Sequence, residues 1–251
     1  MLKLMKYEFR KQAFSKLVIL SLVGLLELVF FFGVITSKEK FIASSMSLLA
    51  VFTFGALFFL AFESIITYSN DLKQKCSYML FLTPNTSYSI VGAKVLSAGI
   101  QIVLAGLAFF AVFAIDGAVL IAKYNALAEV KDMIMEALDQ FFKLKIEFSD
   151  VASVTAAVIA QWISTITLAF FSITLSTTFL ANKKFKGIVS FALFIGLNIL
   201  YSYIVDLTLG DVTNFTDRLT LYFSLQTLYM IIFTIITYVG TAWMLDKKVS
   251  V

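Results

Sequence analysis

Two glutamates stand inside otherwise apolar runs, Glu27 in LSLVGLLELVFFFGVIT and Glu63 in ALFFLAFESIITY. An ionisable group in such a setting is expensive to bury, so it marks a substrate or proton path by default; a hydrogen-bonded packing role is the plain alternative. Glu27 sits in the middle of its run. Glu63 lies about one turn before Tyr68, where it can reach water or a lysine of the segment that follows. A third set is hydroxylic: Ser164, Thr167, Thr174 and Thr178 recur with Phe171 on one helical face. Such a face either lines a translocation path or lets helices approach closely and hydrogen-bond across their contact.

Other chemistries are excluded by what the chain lacks. It has no histidine, so no Ser-His or Cys-His nucleophile can be assembled, and the usual zinc and haem sites lose their commonest ligand. Its single cysteine rules out an internal disulfide and any CxxC metal site. No Gly-Lys dipeptide occurs, so a Walker A phosphate loop cannot form. Gly92-Ala93-Lys94 has Val95 where such a loop needs Ser or Thr to hold magnesium. No catalytic residues, metal or cofactor are expected on this chain, and ATP-driven work would need ATP and magnesium bound by another subunit.

The elements that carry these residues follow from composition. Hydrophobic residues make up 60% of 251 and charged residues 14%. A soluble domain runs nearer half apolar and a quarter charged, so the chain reads as an all-α integral membrane protein. With about 20 apolar residues needed per crossing, six spans are expected, near 17–36, 41–68, 90–115, 151–181, 188–206 and 219–245. They form one transmembrane domain over 1–251. The only proline, Pro84, lies outside all six, so broken helices of the kind many ion-coupled carriers use are not signalled.

Lysine and arginine set the orientation. With the N-terminus inside, the inner segments hold 13 basic residues against three acids, and the outer segments seven against 11. Both ends then face the cytoplasm, with 69–89 an inner loop and 116–150 an outer segment. Residues 1–15 read as an amphipathic interfacial helix, with Leu2, Met5 and Phe9 on one face and Lys3, Lys6 and Arg10 on another. No A-x-A cleavage site follows the first apolar run near Thr36, so it reads as a span rather than a signal peptide. In the outer segment, Leu127, Val130, Ile134, Leu138 and Phe141 keep helical spacing while Glu129, Asp132, Glu136 and Asp139 face away, which predicts a short amphipathic helix.

The inner loop is the longest polar stretch on its side. After Asp71-Leu72 and Lys75 comes an apolar patch, Tyr78, Met79, Leu80, Phe81 and Leu82, closed by Pro84. Proline stops any helix begun upstream, and Ser87 suits the cap of the next one. A rigidly bounded segment with exposed aromatic and aliphatic side chains suits a groove on a partner protein; the alternative is that the patch dips into lipid headgroups.

Tyr68-Ser69-Asn70-Asp71-Leu72-Lys73-Gln74-Lys75, then Leu80-Phe81-Leu82-Thr83-Pro84 and Ser89-Ile90-Val91-Gly92-Ala93-Lys94, resembles the first cytoplasmic loop of bacterial ABC-2 type transporter permeases. Elsewhere the likeness is one of hydropathy and topology. The resemblance implies a plasma-membrane exporter in which two permeases, identical or paired, form a pore above two cytosolic ABC ATPase subunits. It makes Asp71, Leu72, Lys75, Tyr78, Met79, Leu80, Phe81 and Pro84 the ATPase-coupling element. It implies no nucleic-acid partner. A proton- or ion-coupled carrier working through Glu27 and Glu63 is the competing reading, and a non-transporting immunity or scaffold protein a third.

The orientation predicts a labelling pattern. In intact cells, an impermeant thiol reagent is expected to modify a cysteine introduced at Glu136 and to miss native Cys76; labelling of Cys76 would reverse the topology.

Overall fold

The computed structural model describes residues 1–73, 85–124, 148–179, 185–210 and 219–247. They form seven helices: α1 (Leu2–Lys11), α2 (Ala13–Thr36), α3 (Glu39–Lys73), α4 (Ser87–Tyr124), α5 (Phe148–Phe179), α6 (Lys186–Leu209) and α7 (Leu219–Lys247). Six of them, α2 to α7, are long and apolar enough to cross a membrane. The helix expected over 127–141 falls outside the described residues.

Without water, a lipid-exposed backbone must satisfy its N–H and C=O groups within its own segment, which is why an apolar chain of this kind resolves into long helices. With no proline inside them, α3 and α4 run for 35 and 38 residues. At about 1.5 Å per residue each exceeds 50 Å, against an apolar bilayer core of about 30 Å. The helices therefore outlast the apolar runs that announce them. The helix α4 continues past the expected span end at 115 to Tyr124, and Gly117-Ala118-Val119-Leu120-Ile121-Ala122 is again apolar.

The cap of α4 also differs from expectation. Thr86, not Ser87, accepts the Ser89 N–H on its Oγ1 at 3.3 Å. Ser87 instead donates its hydroxyl to Asp246 Oδ1 at 3.1 Å. At the other sharp junction, α2 closes at Ser37, whose φ of 53° is left-handed, and Lys38 N–H returns to Gly33 O at 3.1 Å. Gly33 is required there, because a Cβ would stand 3.0 Å from both Ile42 N and Phe41 Cβ.

The chain divides into two compact units. The first comprises Met1–Met5, Ser64–Gly99 and Glu147–Val251. In it α5 packs against α6 and α7 and is the most enclosed of the six long helices. Tyr68, 1% exposed, stacks on Phe170 with ring centroids 4.1 Å apart. The start of α4 is tied to the end of α7 by Ser87–Asp246 and by the Tyr238 hydroxyl, which donates to Tyr88 O at 2.7 Å. The second unit comprises Lys6–Glu63 and Ile100–Ile146. Val23, Leu49, Ala56 and Phe109 form one buried cluster in it, and Phe30, Val34 and Ile42 another.

Where α5 meets α7, a Cβ on Gly240 would stand 2.8 Å from Phe171 Cε2. Gly240→Val is expected to force the ring or the helices apart and to cost about 1–3 kcal/mol. A fall of several degrees in the thermal midpoint of the purified protein checks this, with Gly24→Val, which meets no neighbour, as the control.

Candidate functional site

Glu27 lies midway along α2, and its carboxyl group stands within hydrogen-bonding reach of Asp116 on α4. Asp116, the first residue of the expected outer segment, is fully buried among the chain's own residues. Neither Asp116 oxygen nor Glu27 Oε1 receives an N–H or O–H from any described residue. Two ionised carboxylates in contact repel, while one proton held between them turns the same contact into a strong hydrogen bond. The arrangement can take up or give up a proton at a fixed place between two helices. Among the described residues no group of three or more His, Cys, Asp or Glu side chains that could hold a metal ion occurs.

Glu63 is held differently. Its Oε1 accepts the Ser15 hydroxyl, and the Lys16 ammonium is close enough for the two charges to interact. Among the described residues its cationic neighbour comes from α2. Lys16 Nζ also lies 5.3 Å from the Phe9 ring centroid, a cation–π contact.

The hydroxyl face of α5 is buried. Ser164, Thr167 and Thr174 are each 5% exposed or less. Thr167 donates to Ser164 O at 2.9 Å and Thr174 to Phe170 O at 2.9 Å, so their protons go back into their own helix. Thr174 also meets the Tyr68 hydroxyl at 2.5 Å. Burial and helix-internal hydrogen bonds are the features a packing face has.

Asp71 and Leu72 end α3, and Lys75, Tyr78, Met79, Leu80, Phe81 and Pro84 lie outside the described residues. Across the loop, Lys94 Nζ reaches Asp71 Oδ2 at 2.5 Å, with the two side chains 4% and 3% exposed. Removing one partner of a buried ion pair costs about 3–5 kcal/mol, because the other is left as an uncompensated charge. The end of α3 and the first turns of α4 are therefore held together at the base of the loop.

Sequence reasoning found Glu27, Glu63 and Asp71 but missed Asp116 and the role of Lys94. The signal for Asp116 was the apolar stretch resuming at Ala118; that for Lys94 was its position within an apolar helix start, Ile90 to Val95. Compared with protein-family models, curated proteins and solved structures, the chain matches none.

The carboxyl contact makes a clear prediction. Asp116→Asn supplies an N–H donor in place of the shared proton and is expected to leave the thermal midpoint nearly unchanged. Asp116→Ala strands the Glu27 carboxyl and is expected to cost about 1–3 kcal/mol. Equal losses in the two variants would mean that the contact is not a hydrogen bond.

Proposed function

We propose that the chain is the membrane-spanning permease subunit of an ABC-2 type ATP-binding cassette exporter, driven by ATP hydrolysed on separate cytosolic subunits. The observation that carries this reading is the buried Lys94–Asp71 pair at the base of the loop between α3 and α4. A coupling element has to hand force from a partner to membrane helices. A push on residues 74–84 reaches two helices whose loop-side ends are clamped, so both respond together rather than the loop bending alone.

The reading assigns each part a task. Tyr78 to Leu82 supply the apolar surface that seats in the ATPase, and Pro84 stiffens its far end. The clamp passes the stroke to α3 and α4, and two permease copies or paralogues enclose the path. The chain itself is not an enzyme; the assembled transporter hydrolyses ATP.

One observation favours a second reading. Two carboxyl groups, Glu27 and Asp116, meet within two candidate spans and can share a proton, as a proton-coupled carrier would need. In that case Asp116 takes the part that sequence reasoning gave to Glu63.

The ATPase-pulldown experiment, with ATP turnover measured in lipid vesicles, separates the two. Burying a large aromatic or aliphatic side chain contributes about 1.5–3 kcal/mol. Tyr78→Ala/Phe81→Ala is therefore expected to weaken ATPase binding about a hundredfold or more, while Asp71→Asn/Lys94→Gln keeps the ATPase bound and loses stimulation of its turnover. If the double alanine variant binds like the parent, the permease reading fails. Proton flux through the chain without any ATPase, abolished in Glu27→Gln, would establish the carrier instead.

A further inference from the structure

The second unit contains a groove of about 320 Å³ between α2, α3 and α4, at the lower end of the range of about 300–1,000 Å³ common for ligand cavities. Its walls are aliphatic and aromatic, among them Ile19, Val23, Leu60, Phe109 and Val112. Two of its lining residues, Leu20 and Leu104, are 72% and 56% exposed, so the groove opens sideways onto the outer surface of the helices. In a chain that crosses a bilayer, that surface meets acyl chains.

One end of the groove is polar, and its polar atoms lack partners. Gln101 lines it while only 4% exposed, and neither its Oε1 nor its Nε2 hydrogen-bonds to any described residue. Lys16 Nζ, also in the lining, is buried without a hydrogen-bond acceptor. Glu63, one turn beyond Leu60, brings its charge to the same end; Oε1 is occupied by Ser15, and Oε2 is buried without a donor. The Lys16 and Glu63 charges interact but do not close into an ion pair. Buried donors and acceptors left without partners are costly, and here two donors and two acceptors, those of Lys16 and Gln101 in the lining and of Glu63 beside it, stand at one end of an apolar slot. A ligand that satisfies them carries an anionic acceptor for Lys16 Nζ and Gln101 Nε2, a cationic donor for Glu63 Oε2 and Gln101 Oε1, and a hydrocarbon chain for the groove.

We propose that this groove binds one acyl chain of a phospholipid whose head group pairs a phosphate with a primary ammonium, with the phosphate on Lys16 and Gln101 and the ammonium on Glu63. The site is independent of whether transport is driven by ATP or by protons. A quaternary ammonium offers no N–H to Glu63, and a purely anionic head group places negative charge beside it, so both fit the four atoms less well.

Native mass spectrometry of the intact protein, exchanged into dioleoyl phosphatidylethanolamine, phosphatidylcholine or phosphatidylglycerol, tests this. One phosphatidylethanolamine is expected to remain bound about tenfold more than either of the others. Glu63→Gln is expected to erase the preference over phosphatidylcholine. Ala108→Phe, which fills the groove, is expected to lose retention of all three, and Gln101→Leu serves in its place if the larger side chain prevents folding. Equal retention of the three lipids overturns the proposal, as does a preference for phosphatidylglycerol. An unchanged preference in Glu63→Gln, or retained lipid in both groove variants, also overturns it.

Discussion

Every polar group that this chain carries into apolar surroundings must find its partner there, and that constraint governs most of what its helices do. The backbone meets it by remaining helical for up to 38 residues at a stretch. The hydroxyls of α5 meet it by donating to carbonyls three or four residues earlier. Such hydroxyls become small, nearly neutral surface. Helices can then pack closely, as α5 and α7 do where Gly240 faces Phe171.

Charges cannot be hidden within one helix, so they join helices in pairs. Lys94 finds Asp71, and Glu27 finds Asp116. The two pairs are not alike. A cation and an anion attract each other whatever else they bind, and the pair becomes a clamp. Two carboxyl groups hold each other only through a proton, so their contact is conditional on what they bind. The groove end at Lys16, Gln101 and Glu63 is a third case, in which the partners are incomplete among the described residues.

The six crossings were legible because each rests on a long, continuous apolar run, and nothing in the described helices overrides that signal. Their ends were not, since hydropathy reports where the bilayer stops and not where the hydrogen-bond ladder does. Asp116 shows this: the uncharged run ends just before it, while the helix goes on through it to Tyr124. Its partner lies two helices earlier, and no local spacing rule links them. Lys94 and Asp71 fall on opposite sides of a loop, again beyond the reach of helical periodicity. The hydroxyl face of α5 was visible as a face; that its hydroxyls donate to carbonyls of their own helix was not. The cap at Thr86 was missed by one residue because Ser87 is an equally good capping type, and Asp246, distant in sequence, claims its hydroxyl.

The Glu27–Asp116 contact also bears on how the protein is made. Synthesis runs from the N-terminus, so α2 is complete while α4 is still unmade. During that interval Glu27 has no Asp116 to share a proton with. Lipid is a poor place for it to wait. Protonation is the cheapest state for the carboxyl in that interval. When α4 is made, Asp116 joins a helix that, at a mean hydropathy of 2.7, already suits the bilayer, so the contact adjusts the protonation of α2 rather than its anchoring.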